Sequence, residues 1–215
     1  MAETDQIILN QIIHKGGKVL VSLSSLDESL RISEEALYRH RLVEGTVLTP
    51  AQVEQLITEA KHWQCRQEAM RLLALRQHAT RELLFKLGRK DFDRELVGEV
   101  VAEMTRQGLL DDAQHAYNLG MALLRRRPCG RPYLVAHLQK KYIDRSIAED
   151  AAEACLSGTE ESDLAGDALR QRSREYEKFE LEVARRKAYN YLARRGFSYG
   201  AVKTAIDELI DRETR

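Results

Sequence analysis

No apolar run in the sequence approaches the roughly 18–20 residues needed to cross a bilayer. Its start, Met1-Ala2-Glu3-Thr4-Asp5, is acidic where a secretory signal would be basic. No membrane partner is therefore expected, and the location expected is cytoplasmic. The three cysteines, Cys65, Cys129 and Cys155, are odd in number and widely spaced. That argues against a disulfide framework and agrees with a reducing compartment. The signatures of the common catalytic classes are also missing: there is no G-x-x-x-x-G-K-S/T, no G-x-G-x-x-G after a strand, no H-E-x-x-H and no G-x-S-x-G. Neither an enzymatic activity nor a cofactor is expected. Aromatic residues are scarce at 6%, against 43% apolar and 32% charged, a balance that suits several small cores under much solvated surface.

Nor is there a net charge, but its absence conceals an uneven distribution. Residues 1–60 hold five Lys and Arg against nine Asp and Glu, a net of −4, so the remainder carries +4. Within that remainder Glu149–Asp167 contains acidic side chains and no Lys or Arg. The positive charge is thus concentrated in short blocks on either side.

What the chain does have is one pattern written three times. Leu87-Gly88-Arg89-Lys90-Asp91-Phe92-Asp93 aligns with Leu138-Gln139-Lys140-Lys141-Tyr142-Ile143-Asp144, 51 residues later, and with Leu192-Ala193-Arg194-Arg195-Gly196-Phe197-Ser198, 54 residues further on. The flanks follow. Leu83, Leu84 and Leu87 map onto Leu134, Val135 and Leu138, then onto Ala188, Tyr189 and Leu192. Downstream, Leu96, Val97, Val100, Val101 and Met104 map onto Ile147, Ala148, Ala151, Ala152 and Cys155, and onto Ala201, Val202, Ala205, Ile206 and Leu209. Both sets have helical spacing. The period marks a mainly α array of three-helix repeats, elongated and built for binding rather than around a closed cavity.

Four segments are expected: an extension at 1–48, a linking helix with the first repeat at 49–110, a second repeat at 111–158 and a third at 159–215. In the extension, Ile7–Ile13 and Val19–Leu23 read as strands joined at Lys15-Gly16-Gly17-Lys18. Ser33 opens a short helix that Gly45 ends or follows, and Thr49-Pro50-Ala51-Gln52 reads as a capping box with Val53, Leu56, Ile57 and Ala60 as buried stripe. That helix runs on or breaks near Trp63. In the third repeat the offset partner of the first helix falls on Arg174, Glu175, Glu177 and Lys178, which places an insertion between Ser157 and Phe179. The acidic stretch with Gly158 is expected to be a flexible joint, and Asp211–Arg215 is expected to fray.

The pairs Arg89-Lys90, Lys140-Lys141 and Arg194-Arg195 share one position in the repeat. Cations in a last helical turn interact with the macrodipole, by about 0.3–1 kcal/mol each, and that is one account of them. The other is a track meeting an acidic protein surface or phosphates, to which Arg125, Arg126, Arg127, Arg131, Arg185, Arg186 and Lys187 add charge. Asp111-Asp112 reads as helix capping rather than a metal site. His62 with Cys65, and Cys129 with His137, are isolated pairs that cannot make a zinc site. Tyr189 falls at a packing position, while Tyr117, Tyr133 and Tyr199 are open to base stacking or packing.

The stretches Ala69-Met70-Arg71-Leu72-Leu73, Thr80-Arg81-Glu82-Leu83, Gly108-Leu109-Leu110-Asp111-Asp112 and above all Tyr191-Leu192-Ala193-Arg194-Arg195-Gly196-Phe197-Ser198-Tyr199 resemble the RecX family of bacterial recombination regulators. The resemblance covers about residues 65–212. Two features depart from it: Asp91 and Tyr142 stand where the family often has Gly after the basic pair, and Cys129-Gly130-Arg131-Pro132 alters the usual Gly-Pro opening of a second helix. The resemblance implies three tandem three-helix units in a curved, elongated molecule, and a monomer is expected. The resemblance further implies that this molecule lies in the groove of the RecA filament on single-stranded DNA, inhibiting strand exchange, ATP hydrolysis and the co-protease activity that cleaves LexA. A ligand does this only by binding filament states with different affinities. The alternative is an independent nucleic-acid-binding array of helix-turn-helix-like units, against which zero net charge and the Glu149–Asp167 stretch count. A helical scaffold for another partner is a third reading.

Overall fold

The structure is a computed structural model and describes residues 6–213. The acidic start Met1–Asp5 and the terminal Thr214-Arg215 of the segment expected to fray lie outside the described residues, as does the side chain of Leu209. Among the described residues no helix is long and apolar enough to cross a membrane. The chain is mainly helical behind a small amino-terminal sheet. It divides into two compact units. One runs to Gln77 and resumes over Leu83–Gln107; the other holds His78–Glu82 and the residues from Gly108 onward.

In the first unit, β1 (Ile7–Lys15) and β2 (Lys18–Leu23) form the expected hairpin. Gly16 and Gly17 supply φ of +58° and +75° at its turn, values that a tight hairpin needs and that side chains resist. Strands β3 (Leu30–Ile32) and β4 (Val47–Leu48) complete an antiparallel sheet in the order β3-β2-β1-β4. Alternation along β2 turns Val19, Val21 and Leu23 inward, where they are buried with Leu9 and Ile32. Each such Leu or Ile stabilises the unit by roughly 1.5–3 kcal/mol. Ser33 caps α1 (Glu34–Arg39) by accepting from the Ala36 N–H.

Helix α2 (Pro50–Leu75) starts at a complete capping box, with Thr49 Oγ1 accepting from Gln52 N–H and Gln52 Oε1 accepting from Thr49 N–H. It passes Trp63 unbroken, because no Gly or Pro interrupts it. Its first half buries Val53, Leu56 and Ala60 in the same core as the sheet. Its second half is the first helix of the first repeat. There, Arg66 Nη1 donates to Glu103 Oε1 of a later helix at 2.9 Å. That later helix is α4 (Arg94–Arg106), preceded by α3 (Thr80–Leu87). The repeat positions Leu83, Leu87, Val97, Val100, Val101 and Met104 are all buried.

In the second unit, α5 (Asp112–Arg126), α6 (Arg131–Gln139) and α7 (Arg145–Leu156) pack around Ala116, Leu134, Leu138, Ile143 and Ala152. The chain continues through α8 (Glu161–Arg170), the one-turn α9 (Ser173–Tyr176), α10 (Leu181–Arg194) and α11 (Tyr199–Glu213). Of these α8, α10 and α11 form the next triplet, around Leu169, Ala188, Leu192 and Val202.

This corrects one expectation. The acidic stretch is not a flexible joint: it forms most of α7 and α8, separated by a turn in which Gly158 takes φ +75°. Ala148, Ala151, Ala152, Ala165 and Ala168 bury one face, and Asp150, Glu153 and Asp167 stay exposed on the other. The extra residues of the third repeat follow its first helix rather than precede it.

The repeated turn after the second helix is kept twice and lost once. Ile143 N–H donates to Leu138 O and Phe197 N–H to Leu192 O, both at 3.3 Å. Tyr142 at φ +66° and Gly196 at φ +75° occupy the left-handed position of that Schellman turn. In the first repeat Asp91 stays out of the left-handed region and Phe92 N–H donates to Lys90 O instead.

Candidate functional site

The three repeated cationic pairs are not equivalent. In the first unit, Lys90 Nζ lies 3.4 Å from Glu68 Oε1, and Arg71 holds the same carboxylate at 2.8 Å. Arg71 first, and Lys90 after it, bring the Glu68 carboxyl down to about 2. Arg89 is exposed, with its guanidinium 5.9 Å from the Phe85 ring centre. Lys140 and Lys141 are exposed in the second unit at the end of α6. Burial, and then these two ammonium groups, depress His137 below the ordinary imidazole value.

Arg194 and Arg195 diverge. Arg194 is exposed and its Nε donates to Asn190 O at 3.0 Å. Arg195 turns inward, 5.4 Å from the Tyr133 ring centre and 5.3 Å from that of Tyr191. Its Nη1 is buried without a hydrogen-bond partner among the described residues. Cation–π contact of this kind contributes about 0.5–2 kcal/mol, so Arg195 serves packing as well as charge.

A backbone joint gathers several of these groups. Gly130 N–H donates to Arg195 O at 2.9 Å. A Cβ on Gly130 would sit 1.9 Å from Gly196 O, so only glycine permits the approach. Glycine in place of the usual cap is therefore explained by contact, not by capping: no side chain caps α6. The joint sets Arg131 beside the Arg194-Arg195 turn, with Arg125, Arg126 and Arg127 at the end of α5 just before it. All four of these arginines are exposed. Cys129 is buried at the same joint, and burial pushes its thiol up to about 11. Lys140-Lys141 lie at the other end of α6, roughly 13 Å along its axis. Of the mid-helix block, Arg185 Nη2 is held by Asp207 Oδ1 at 2.7 Å, Arg186 is exposed, and Lys187 Nζ lies 4.0 Å from the Phe179 ring centre.

Asp111 caps α5 by accepting from Gln114 N–H at 2.9 Å. Asp112 instead accepts from both Thr80 N–H, at 2.8 Å, and Thr80 Oγ1, at 3.1 Å. His62 Nε2 lies 3.5 Å from Glu103 Oε2, and Cys65 is buried. Among the described residues no group of three or more His, Cys, Asp or Glu is placed to hold a metal ion.

Sequence reasoning passed over an open groove of about 410 Å³ beside α10, lined by Arg172, Glu175, Tyr176, Phe179, Lys187 and Arg194 among others. Arg172 lies 4.5 Å from the Tyr191 ring centre and pairs with Glu175. Only the failure of the repeat offset at Arg174–Lys178 signalled that the segment is special.

Comparison with known proteins bears on this geometry. The family described as "RecX, third three-helix domain" matches residues 159–206. A protein of Pelodictyon phaeoclathratiforme named "Regulatory protein RecX" is 32% identical over 148 residues, covering 66% of this chain and 86% of its own length. One of the same name from Chlorobaculum tepidum is 28% identical over 156 residues, covering 73% and 94%. A solved structure, "Crystal structure of regulatory protein RecX", superposes with a TM-score of 0.72 at 20% identity, over 94% of this chain and 99% of that one.

Proposed function

The chain is a member of the RecX family of regulatory proteins, and on that premise we propose that it binds the RecA filament on single-stranded DNA and restrains it. The observation that carries this reading is the exposed cationic surface of the second unit. Arg125, Arg126, Arg127, Arg131, Lys140, Lys141, Arg186 and Arg194 are exposed there and make no ion pair among the described residues. Uncompensated cations on helical repeats suit an acidic partner surface and set encounter rate and register more than affinity. Arg89 and Lys90 of the first unit are further proposed contacts, with Lys90 weakened by Glu68, as are Arg185 and Arg195 of the second.

The protein acts without chemistry of its own, as a cytoplasmic monomer of three helical units behind the sheet extension. Several weak contacts on linked units reinforce one another through effective concentration. By favouring one filament state it lowers strand exchange, ATP hydrolysis and LexA cleavage together. Titrating the protein into RecA filaments on single-stranded DNA while following ATPase rate tests this. Inhibition is expected well below the concentration at which the protein alone binds DNA. A rate that stays constant to saturation refutes the reading.

A further inference from the structure

A groove in the first unit, bordered by α3, α4 and the turn between them, sets the first repeat apart from the other two. Its volume of about 540 Å³ is that of a ligand-binding cleft. Leu84, Phe85, Phe92 and Val97 supply its apolar lining, and Phe85 is 51% exposed. At the repeat positions of Phe85 and Gly98, which both line the groove, the second repeat has Ala136 and Glu149 and the third has Asn190 and Lys203. A large exposed ring therefore stands where the other repeats carry small or polar side chains, and glycine stands where they carry long charged ones. A Cβ on Gly98 would meet nothing within 4 Å, so the floor of the groove is open there.

The charges of the groove are of one sign. Arg89 and Arg94 line it, no carboxylate does among the described residues, and neither arginine makes an ion pair there. The second repeat shows what Arg94 lacks. Its counterpart Arg145 donates through Nε to Glu149 Oε1 at 2.8 Å, four residues on along the same helix face. Gly98 removes that carboxylate from the first repeat, so Arg94 presents a guanidinium beside the open floor where an internal partner would sit. A carboxylate brought in from outside, next to an apolar side chain, fits both the free fork and the apolar lining. A nucleic-acid strand fits less well. Asp91, Asp93, Glu95 and Glu99 are exposed close by in the chain, so no continuous cationic track leads out of the groove for successive phosphates to follow.

We infer that this groove is a docking site for an acidic segment of a partner protein, which seats an apolar side chain against Phe85 and Phe92 and a neighbouring carboxylate on Arg94. This goes beyond the filament reading, does not rest on it and is tested without any recombinase. The probe is a short fluorescein-labelled peptide with Leu and Phe between Asp residues, bound to the full chain and followed by anisotropy. Gly98→Glu restores the pairing seen in the second repeat and fills the floor. It should weaken peptide binding by about tenfold or more with helicity retained, because glutamate favours a helix over glycine. Arg94→Gln should weaken the Asp peptide by about tenfold and leave a peptide with Asn in place of Asp almost unchanged, a coupling that a loss of structure would not produce. Replacing the peptide's Leu and Phe with Ala should also cost about tenfold or more. A parent peptide that fails to bind at millimolar concentration, or that binds Gly98→Glu as well as wild type, overturns the assignment. So does displacement by oligo-dT at a concentration no higher than that of unlabelled peptide, which would make a nucleic acid the occupant. Self-association of the chain that Gly98→Glu abolishes would overturn it in favour of a second copy. Loss of filament inhibition with peptide binding intact would count against the filament reading alone.

Discussion

Replacing Gly130 with alanine separates a steric role from a conformational one. Gly130 has φ −74° and ψ 165°, a backbone that alanine adopts without strain. The methyl group, however, would lie 1.9 Å from Gly196 O, 2.5 Å from Gly196 C and 2.9 Å from Phe197 N, all backbone atoms that no side-chain rotation moves. The two segments must part, which breaks the 2.9 Å bond from Gly130 N–H to Arg195 O, a loss of about 1 kcal/mol. Repacking the overfilled joint costs about 1–3 kcal/mol. Reduced freedom of the unfolded chain offsets about 0.4–1 kcal/mol. The net expectation is a destabilisation of about 2 kcal/mol, read from urea denaturation followed by circular dichroism. Gly98→Ala is the control: Gly98 lies inside α4 with nothing within 4 Å of an added Cβ, so alanine should stabilise by about 0.8–1 kcal/mol there. A Gly130→Ala variant as stable as the parent would refute the close joint between the second and third helical triplets.

Other expectations follow from the same geometry. Tyr142 holds φ +66°, so Tyr142→Val should cost about 1–2 kcal/mol in urea denaturation, whereas Tyr142→Gly should be tolerated; equal losses would refute the left-handed turn. Glu68 has its carboxyl depressed from the ordinary 4.5 to about 2, and a depressed carboxylate contributes stability above its unfolded pKa that is lost as pH falls toward the folded one. Urea midpoints should therefore drop between about pH 4.5 and 2, and Glu68→Gln should flatten that slope. Cys65 and Cys129 are buried with thiols pushed up to about 11, so a disulfide reagent at mild alkaline pH should label them only after denaturant is added; rapid labelling of the native protein would contradict their burial.

Elements that announce themselves through local chemistry were legible in the sequence. The Gly16-Gly17 turn, the Thr49–Gln52 capping box and the repeated Leu83/Leu87, Leu134/Leu138 and Ala188/Leu192 positions each rest on neighbouring residues, and each forms. Strands β3 and β4, of three and two residues, are too short to show a period and exist only because β2 and β1 offer edges to pair with. The alanines of α7, Ala148, Ala151 and Ala152, were legible as repeat positions, whereas Ala165 and Ala168 of α8 were obscured by the acidic residues around them. At the candidate site, sequence located the cationic blocks but not their company. That Arg195 stacks between two tyrosines while Arg194 faces solvent depends on the turn at Gly196, and that Tyr176 is dry depends on packing of a one-turn helix no periodicity reveals.

The measurement that bears most directly on the proposed regulatory role is equilibrium binding of the full chain to RecA filaments on single-stranded DNA. The wild-type protein is compared with a variant reversed to Glu at Arg125, Arg126 and Arg127 and another reversed at Lys140 and Lys141. Tight wild-type binding, weakened at least about tenfold in both variants with helicity intact, is the predicted result. Wild-type protein that does not bind the filament, or variants that bind as well as wild type, would contradict it.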